Sequence, residues 1–238
     1  VGIDLGRESA PDATTLLKFR RLLEREGLTG RLFEAINAHL AEQGLMLREG
    51  TVVDATLIAA PPSTKNRARK RDPQMHQTRK GKQWYFGMKA HVGVDAGSGA
   101  VHSLVTTPAN TSDVTQAHRL LHGEEADVFG DAGYQGVEKR EENKKTDVNW
   151  HTALKPGKRR VLPATPAGRL RERREKAKAS IRAIVEHPFH TVKNIFGHRK
   201  ARYRGLAKNE AQLFTLFGLA NLLRLKRELL ARPGVSVS

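Results

Sequence analysis

The sequence predicts an α/β fold: a mixed, five-stranded sheet with helices packed against it, preceded by a helical hairpin. Three observations carry this. Two stretches within residues 12–43 repeat apolar residues at helical spacing. Three apolar, strand-like runs then follow in succession, the last two joined by a turn sequence, D-A-G-S-G at 95–99. Two more short strand-like runs are each reached through a helix-like segment, which calls for parallel neighbours in the same sheet.

The elements follow in order. Asp12 can cap a first helix carrying Leu16, Phe19 and Leu23 on one face, with Gly27 ending it. Thr29 can cap a second, with Leu32, Ile36 and Leu40 a turn apart, ended by Gly44. Residues 51–59 are a short, β-branched apolar run that reads as a buried strand, stopped by Pro61-Pro62. Residues 63–83 are polar, basic and without periodicity, and are read as an inserted loop. Strands at about 85–95 and 100–107 come next, then a helix from Ser112 to about His122. A fourth strand at 127–130 breaks at D-A-G-Y-Q-G and leads into a polar helix to about Lys145. A fifth spans about 147–154. A basic Pro/Gly segment, a long helix at about 169–187 and a last helix at about 209–231 complete the chain.

The charge is large and uneven. The chain has 238 residues, a formal net charge of +17, and no cysteine. The missing thiols exclude disulfides, Cys-ligated zinc, iron–sulfur clusters and thiol nucleophiles. No apolar run is long enough to predict a membrane-spanning helix. Residues 61–90 hold nine Lys/Arg against Asp72, residues 155–178 hold ten against Glu172 and Glu175, and residues 193–208 hold six and no acid. These three tracts carry more positive charge than the whole chain, and they alternate with core-like segments. That is the footprint of a surface that meets phosphates. Aromatics are only 5% of residues, which argues against binding mainly by base stacking.

Three carboxylates stand out against this background. Asp54 sits among Val52, Val53, Leu57 and Ile58. A carboxylate in such a run is either on the wet face of a strand or held in the interior by a partner or a metal. Asp131 ends a short strand beside Gly130 and Gly133, where the backbone can turn sharply; it reads either as a turn residue or as a site residue at a strand's C-terminal end. Glu186 lies four residues after Arg182 and seven before Lys193, with Pro188 between. Arg182 and Glu186 can form an ordinary helix pair, or one face of a site. Together the three acids could hold two Mg²⁺ ions, which prefer carboxylate oxygens, for phosphodiester chemistry. Other candidates have simpler readings. Asp95 is a turn residue, Asp113 a helix N-terminal acid, and His118 and His122 a surface pair; Trp150 is a core residue and Phe86 opens a strand. Trp84 and Tyr85 could stack a base.

The chain closely resembles the DDE transposases of bacterial insertion sequences, in the insertion sequence five family. The resemblance runs over nearly the whole chain. It rests on V-D-A-T at 53–56, S-T-K-N at 63–66, D-P-Q-M-H-Q-T at 72–78, Q-W-Y-F-G-M-K-A-H-V-G-V-D at 83–95, H-S-L-V-T-T at 102–107, D-A-G-Y-Q-G at 131–136, V-E-H-P-F at 185–189 and R-Y-R-G-L-A-K-N at 202–209. It implies an RNase H-like fold with Asp54, Asp131 and Glu186 as catalytic metal ligands, binding two Mg²⁺ that Mn²⁺ can replace. It also implies DNA cleavage and strand transfer. The family's Tyr-x2-Arg-x3-Glu-x6-Lys signature places its Arg at Arg182 and its Lys at Lys193; its Tyr position is Ala179 here, so any contact of that Tyr is missing. Arg182 and Lys193, with Arg199, Lys200, Arg202 and Arg204 of the third basic tract, are the expected DNA-binding residues. The expected partners are double-stranded DNA, both terminal inverted repeats and target, and further copies of the chain on it, in the cytoplasm with no membrane involved.

The expected organisation is an N-terminal helical region at 1–46 and a catalytic domain at 47–238 with a basic insertion at 60–84. The chain begins with Val, and the resemblance implies more sequence upstream. The alternative from another class is a catalytically inert fragment that binds DNA or inhibits by mixed assembly. The two part on whether the three carboxylates face a common position.

Overall fold

Strand β1, Gly50–Ala59, lies between two neighbours in the computed structural model, which describes residues 11–46, 50–67, 69–144 and 146–231. On one side it pairs antiparallel with β3, Gln83–Asp95, in an unbroken register from Thr51 with Asp95 to Ala59 with Gly87. On the other it pairs parallel with β5, Asp127–Gly130, over four rungs. β4, Val101–Pro108, pairs antiparallel with β3, and β6, Asn149–Thr152, runs parallel to β5. This is a mixed, RNase H-like sheet with helices against it. The expected boundary at 46/47 falls against residues 47–49, outside the described residues.

The sheet has six strands rather than the expected five. The additional strand is β2, His76–Lys80, inside the segment read as a loop. It pairs with residues 83–87 at the outer end of β3. Its sequence, H-Q-T-R-K, has no apolar residue, so hydrophobic alternation could not reveal it; backbone pairing with the long β3 makes it a strand. Where β1, β2 and β3 meet, Gly87 is needed for close approach. A Cβ there would stand 2.2 Å from the Ile58 carbonyl oxygen.

The β-branched and apolar residues of β1 and β3 alternate between two cores. Val52 and Ile58 share one face with Met88, Val92 and Val94, and pack with Phe189, Leu213 and Phe217. Val53 points the other way, among Val105, Leu120, Val128 and Tyr134.

The helical hairpin forms as expected. In α1, Ala13–Arg25, the Thr15 N–H donates to Asp12 Oδ1 at 2.6 Å. Helix α2, Leu28–Glu42, begins after Gly27 at φ +62°, and Thr29 is a buried residue within it, not its cap. α2 packs on α6, Leu206–Arg224, with the Phe33 and Phe214 rings 5.5 Å apart. Beneath them, Asn221 binds the Asn37 amide oxygen at 2.9 Å and both backbone groups of Val101 at 2.8 Å.

Elsewhere the helices are shorter than expected. Asp113–Leu120 is a 3₁₀ helix. The polar segment after Asp131 forms three 3₁₀ turns, Ala132–Tyr134, Val137–Lys139 and Glu141–Asn143, because Gly133 and Gly136 interrupt it. The basic Pro/Gly segment contains one short helix, α3, Pro156–Arg160. Helix α4, Pro166–Arg182, starts at Thr165, whose hydroxyl oxygen accepts from the Gly168 N–H at 3.2 Å. The chain then stays helical through a 3₁₀ turn, Ala183–Val185, helix α5, Glu186–His190, and a π-helical turn, Thr191–Ile195. The altered windings carry the path across Pro188, which lacks the N–H of a regular turn. The last helix ends at Arg224 and is followed by α7, Lys226–Leu230. Among the described residues no helix is long and apolar enough to cross a membrane.

Candidate active site

The parallel ladder between β1 and β5 ends at Val53 and Gly130. Beyond it β1 still pairs with β3, but its other edge opens. Asp54 is the next residue on β1, and Asp131 is the residue just past the end of β5. Parallel neighbours stand about 4.8 Å apart, so consecutive carboxylates at the end of a ladder are held side by side. Gly130 permits this turn: a Cβ there would approach the Tyr134 side chain to 3.0 Å. Each aspartate is fixed by one backbone donor. Ala55 N–H donates to Asp54 Oδ1 and Gly133 N–H to Asp131 Oδ1, both at 2.7 Å. That leaves an outer oxygen of each free of such a bond among the described residues.

Glu186 comes from the first turn of α5. It lines the same cleft as Asp54 and Asp131, a space of about 710 Å³. Arg182, one turn earlier, and Lys193, in the π-helical turn, line it too. Among the described residues none of the three acids is tied in an ion pair. As they stand, among the described residues, no three His, Asp or Glu side chains are close enough together to hold a metal ion.

Burial dominates the electrostatics of the cleft, and like charge adds to it. Burial pushes the Asp54 carboxyl up to about 6. Asp131 and Glu186 push it the same way, while the Ala55 N–H and the Arg182 guanidinium oppose them. Lys193 is held below its ordinary value by burial and by the Lys80 ammonium, against Glu186. Tyr134 lies fully buried beneath the aspartates; burial, with the Asp113, Asp54 and Asp131 charges, raises its phenol.

The structure separates the remaining expected DNA-binding residues from the cleft. Arg199 binds the Lys193 carbonyl at 3.3 Å and Asn194 Oδ1 at 2.7 Å, bracing the wall that carries Lys193. Lys200 bridges to Ala59 at the far end of β1. Arg202 and Arg204 line a separate groove of about 200 Å³ with Lys70 and Asp72. There the first and third basic tracts meet, and Asp72 Oδ2 accepts from the Gly205 N–H at 2.6 Å.

Some cleft residues were not legible as such. Asp113 is a fourth carboxylate in the wall, not simply a helix-end acid. Lys89 Nζ donates to it at 2.8 Å and to the Thr111 carbonyl at 2.7 Å. Thr78, Arg79 and Lys80 of β2 also line the cleft. Their basic composition was visible, but only the unexpected strand places them here. Asp95 is the turn residue expected: its Oδ1 accepts from Ser98 N–H at 2.6 Å and from Ser98 Oγ at 2.8 Å.

Asp54 and Asp131 stand at the open end of a parallel ladder, and Glu186 lines the same cleft. A family model described as the transposase DDE domain matches residues 46–222, well over half of the chain. The chain belongs to the transposase DDE-domain family. Asp54, Asp131, Glu186, Arg182 and Lys193 of this transposase domain all fall within the matched span, as do both walls of the cleft. Membership of this family implies DNA as the partner.

Proposed function

We propose that this transposase domain cuts DNA at the ends of an insertion sequence and joins the freed 3′ ends to target DNA, as a member of the insertion sequence five family working in the bacterial cytoplasm. The observation that carries this reading is the position of Asp54 and Asp131 one residue beyond the last rung of β1 and β5, with Glu186 lining the same cleft. The donor set suits a hard divalent cation. It is all oxygen, its members have no cationic partner in an ion pair among the described residues, and it lies within a basic surround. Asp54, Asp131 and Glu186 would hold Mg²⁺, or Mn²⁺ in its place. When bound, such ions lower the pKa of an attacking water or hydroxyl and stabilise the leaving 3′ oxygen.

The chain's own residues supply positioning and charge. Arg182 and Lys193 flank Glu186 and hold phosphates on either side of the bond to be cut, Arg182 as a fork and Lys193 as a point charge. Lys89 neutralises Asp113, so that this fourth acid does not repel the DNA backbone. Arg202, Arg204 and Lys200 bind backbone outside the cleft. Further copies of the chain assemble on the same DNA.

The test is Mg²⁺- or Mn²⁺-dependent cleavage of a transposon-end duplex by this chain. Asp54→Asn should abolish cleavage and leave DNA binding within about twofold. Metal-dependent cleavage retained by Asp54→Asn would overturn the assignment. DNA binding with no cleavage would favour the inert, DNA-binding reading.

A further inference from the structure

The hairpin of β2 and β3 has a composition that the cleft chemistry does not use. No acid occurs from residue 73 to residue 94. The hairpin turns at Gly81, φ +62°, and Lys82, and its tip presents Arg79, Lys80 and Lys82, all exposed. Among them stands Trp84, 63% exposed. It is one of two tryptophans in the chain; the other, Trp150, packs against the smaller core.

Trp84 is mounted firmly. Trp84, Phe86 and Met88 follow one another on the same face of β3. Met88 is fully buried, and Phe86 packs on the core with the Arg71 guanidinium 5.4 Å from its ring centre. The row therefore leaves the core and ends in solvent at an indole. Arg79, directly opposite Trp84 in the register, lines the cleft, as do its neighbours Thr78 and Lys80. The indole thus stands across from Arg79 at the outer edge of the basic wall of the cleft, outside the cleft lining itself.

We propose that the β2–β3 hairpin is a DNA-contacting element on which Trp84 stacks against an unpaired base next to the cleft. This rests on the proposed function of that cleft. The cations explain the phosphate backbone, but an indole gains nothing from a phosphate. It gains from the π face of a base. Inside a duplex both faces of a base are already covered by its neighbours, so the available partner is a base at a frayed or single-stranded end. A protein partner fits less well, because the residues around Trp84 at the tip are cations and amides rather than an apolar patch.

The test uses the full chain and two DNAs, a blunt duplex and the same duplex with an unpaired 3′ tail, with a chelator present so that no cutting occurs. The wild type should prefer the tailed duplex. Trp84→Ala should lose about tenfold on the tailed duplex and less than about twofold on the blunt one, whereas Trp84→Phe keeps most of the preference. Lys80→Ala should weaken both duplexes alike. Equal weakening of both by Trp84→Ala, or no change in either, overturns the proposal. So does a change in oligomeric state with DNA binding intact. The readout is separate from cleavage. If cleavage fails but the tail preference depends on Trp84, the base contact stands and the catalytic reading falls. If Asp54-dependent cleavage is found and Trp84→Ala is silent, only the base contact falls.

Discussion

Asp54 and Asp131 each stand one residue past the paired Val53 and Gly130, on adjacent parallel strands. Seventy-seven residues apart in sequence, they become neighbours because β1 and β5 share a short ladder that stops just before them. The edge of β1 that opens there lines the cleft with Asp54, Ala55, Thr56 and Leu57. Burial there, with the charges of Asp131 and Glu186 adding to it, raises the Asp54 carboxyl.

The phosphate contacts should be visible in salt dependence. Each Lys or Arg that meets a phosphate adds about one to the slope of log affinity against log salt. Lys193→Ala, in the cleft, is expected to lower that slope by about one and to reduce cleavage at saturating DNA. Arg202→Ala, in the separate groove, is expected to lower the slope similarly with cleavage unchanged. Binding titrations at several salt concentrations, beside end-point cleavage, measure both.

His91 should make the fold sensitive to mild acid. It is fully buried between β1 and β4, with Nε2 2.8 Å from Thr107 Oγ1 and Nδ1 3.6 Å from Asp113. Burial holds its pKa down at about 4, helped by Lys89 and Arg119 and opposed by Asp113. An unfolded histidine titrates near 6.5, so the unfolded chain takes up the proton first as pH falls. Stability is therefore full above about pH 6.5 and is lost progressively towards pH 4, by about 2 kcal/mol at pH 5. Urea unfolding at pH 7 and pH 5 should show this loss in the wild type and less of it in His91→Gln.

Asn221 ties three elements together. Its amide serves Asn37 on α2 and both backbone groups of Val101 at the start of β4. Asn221→Ala leaves two buried groups, the Val101 N–H and the Asn37 amide oxygen, without this partner and should cost about 3 kcal/mol in urea unfolding. Asn221→Leu, with similar volume, should not recover that loss.

Lys89 and Asp113 should be energetically coupled. Both are partly exposed, so the expected coupling in a double-mutant cycle of Lys89→Met and Asp113→Asn is modest, about 1 kcal/mol. Lys89→Met alone should also weaken DNA binding, because it leaves the Asp113 charge in the cleft wall without its cation. Asp113→Asn in the same chain should restore part of that binding.

The sequence by itself determined the fold class, the five core strands and the three acids worth following. These are carried by local signals: β-branched runs, glycine turns, helical spacing, and a carboxylate set in an apolar run. Local signals also placed Asp12 at a cap and Asp95 in a turn. They could not reveal β2, because His76–Lys80 has no apolar face and owes its form to hydrogen bonds with β3. For the same reason the cleft roles of Arg79 and Lys80, and the place of Trp84 beside that cleft, were out of reach. Asp113 read as a helix-end acid until Lys89, from another strand, was found bonded to it. Only the tertiary structure decided which basic residues face the acids. It put Arg182 and Lys193 in the cleft and Arg202 and Arg204 in a separate groove. Charge along a chain counts cations, whereas strand register and helix path determine which of them share a surface.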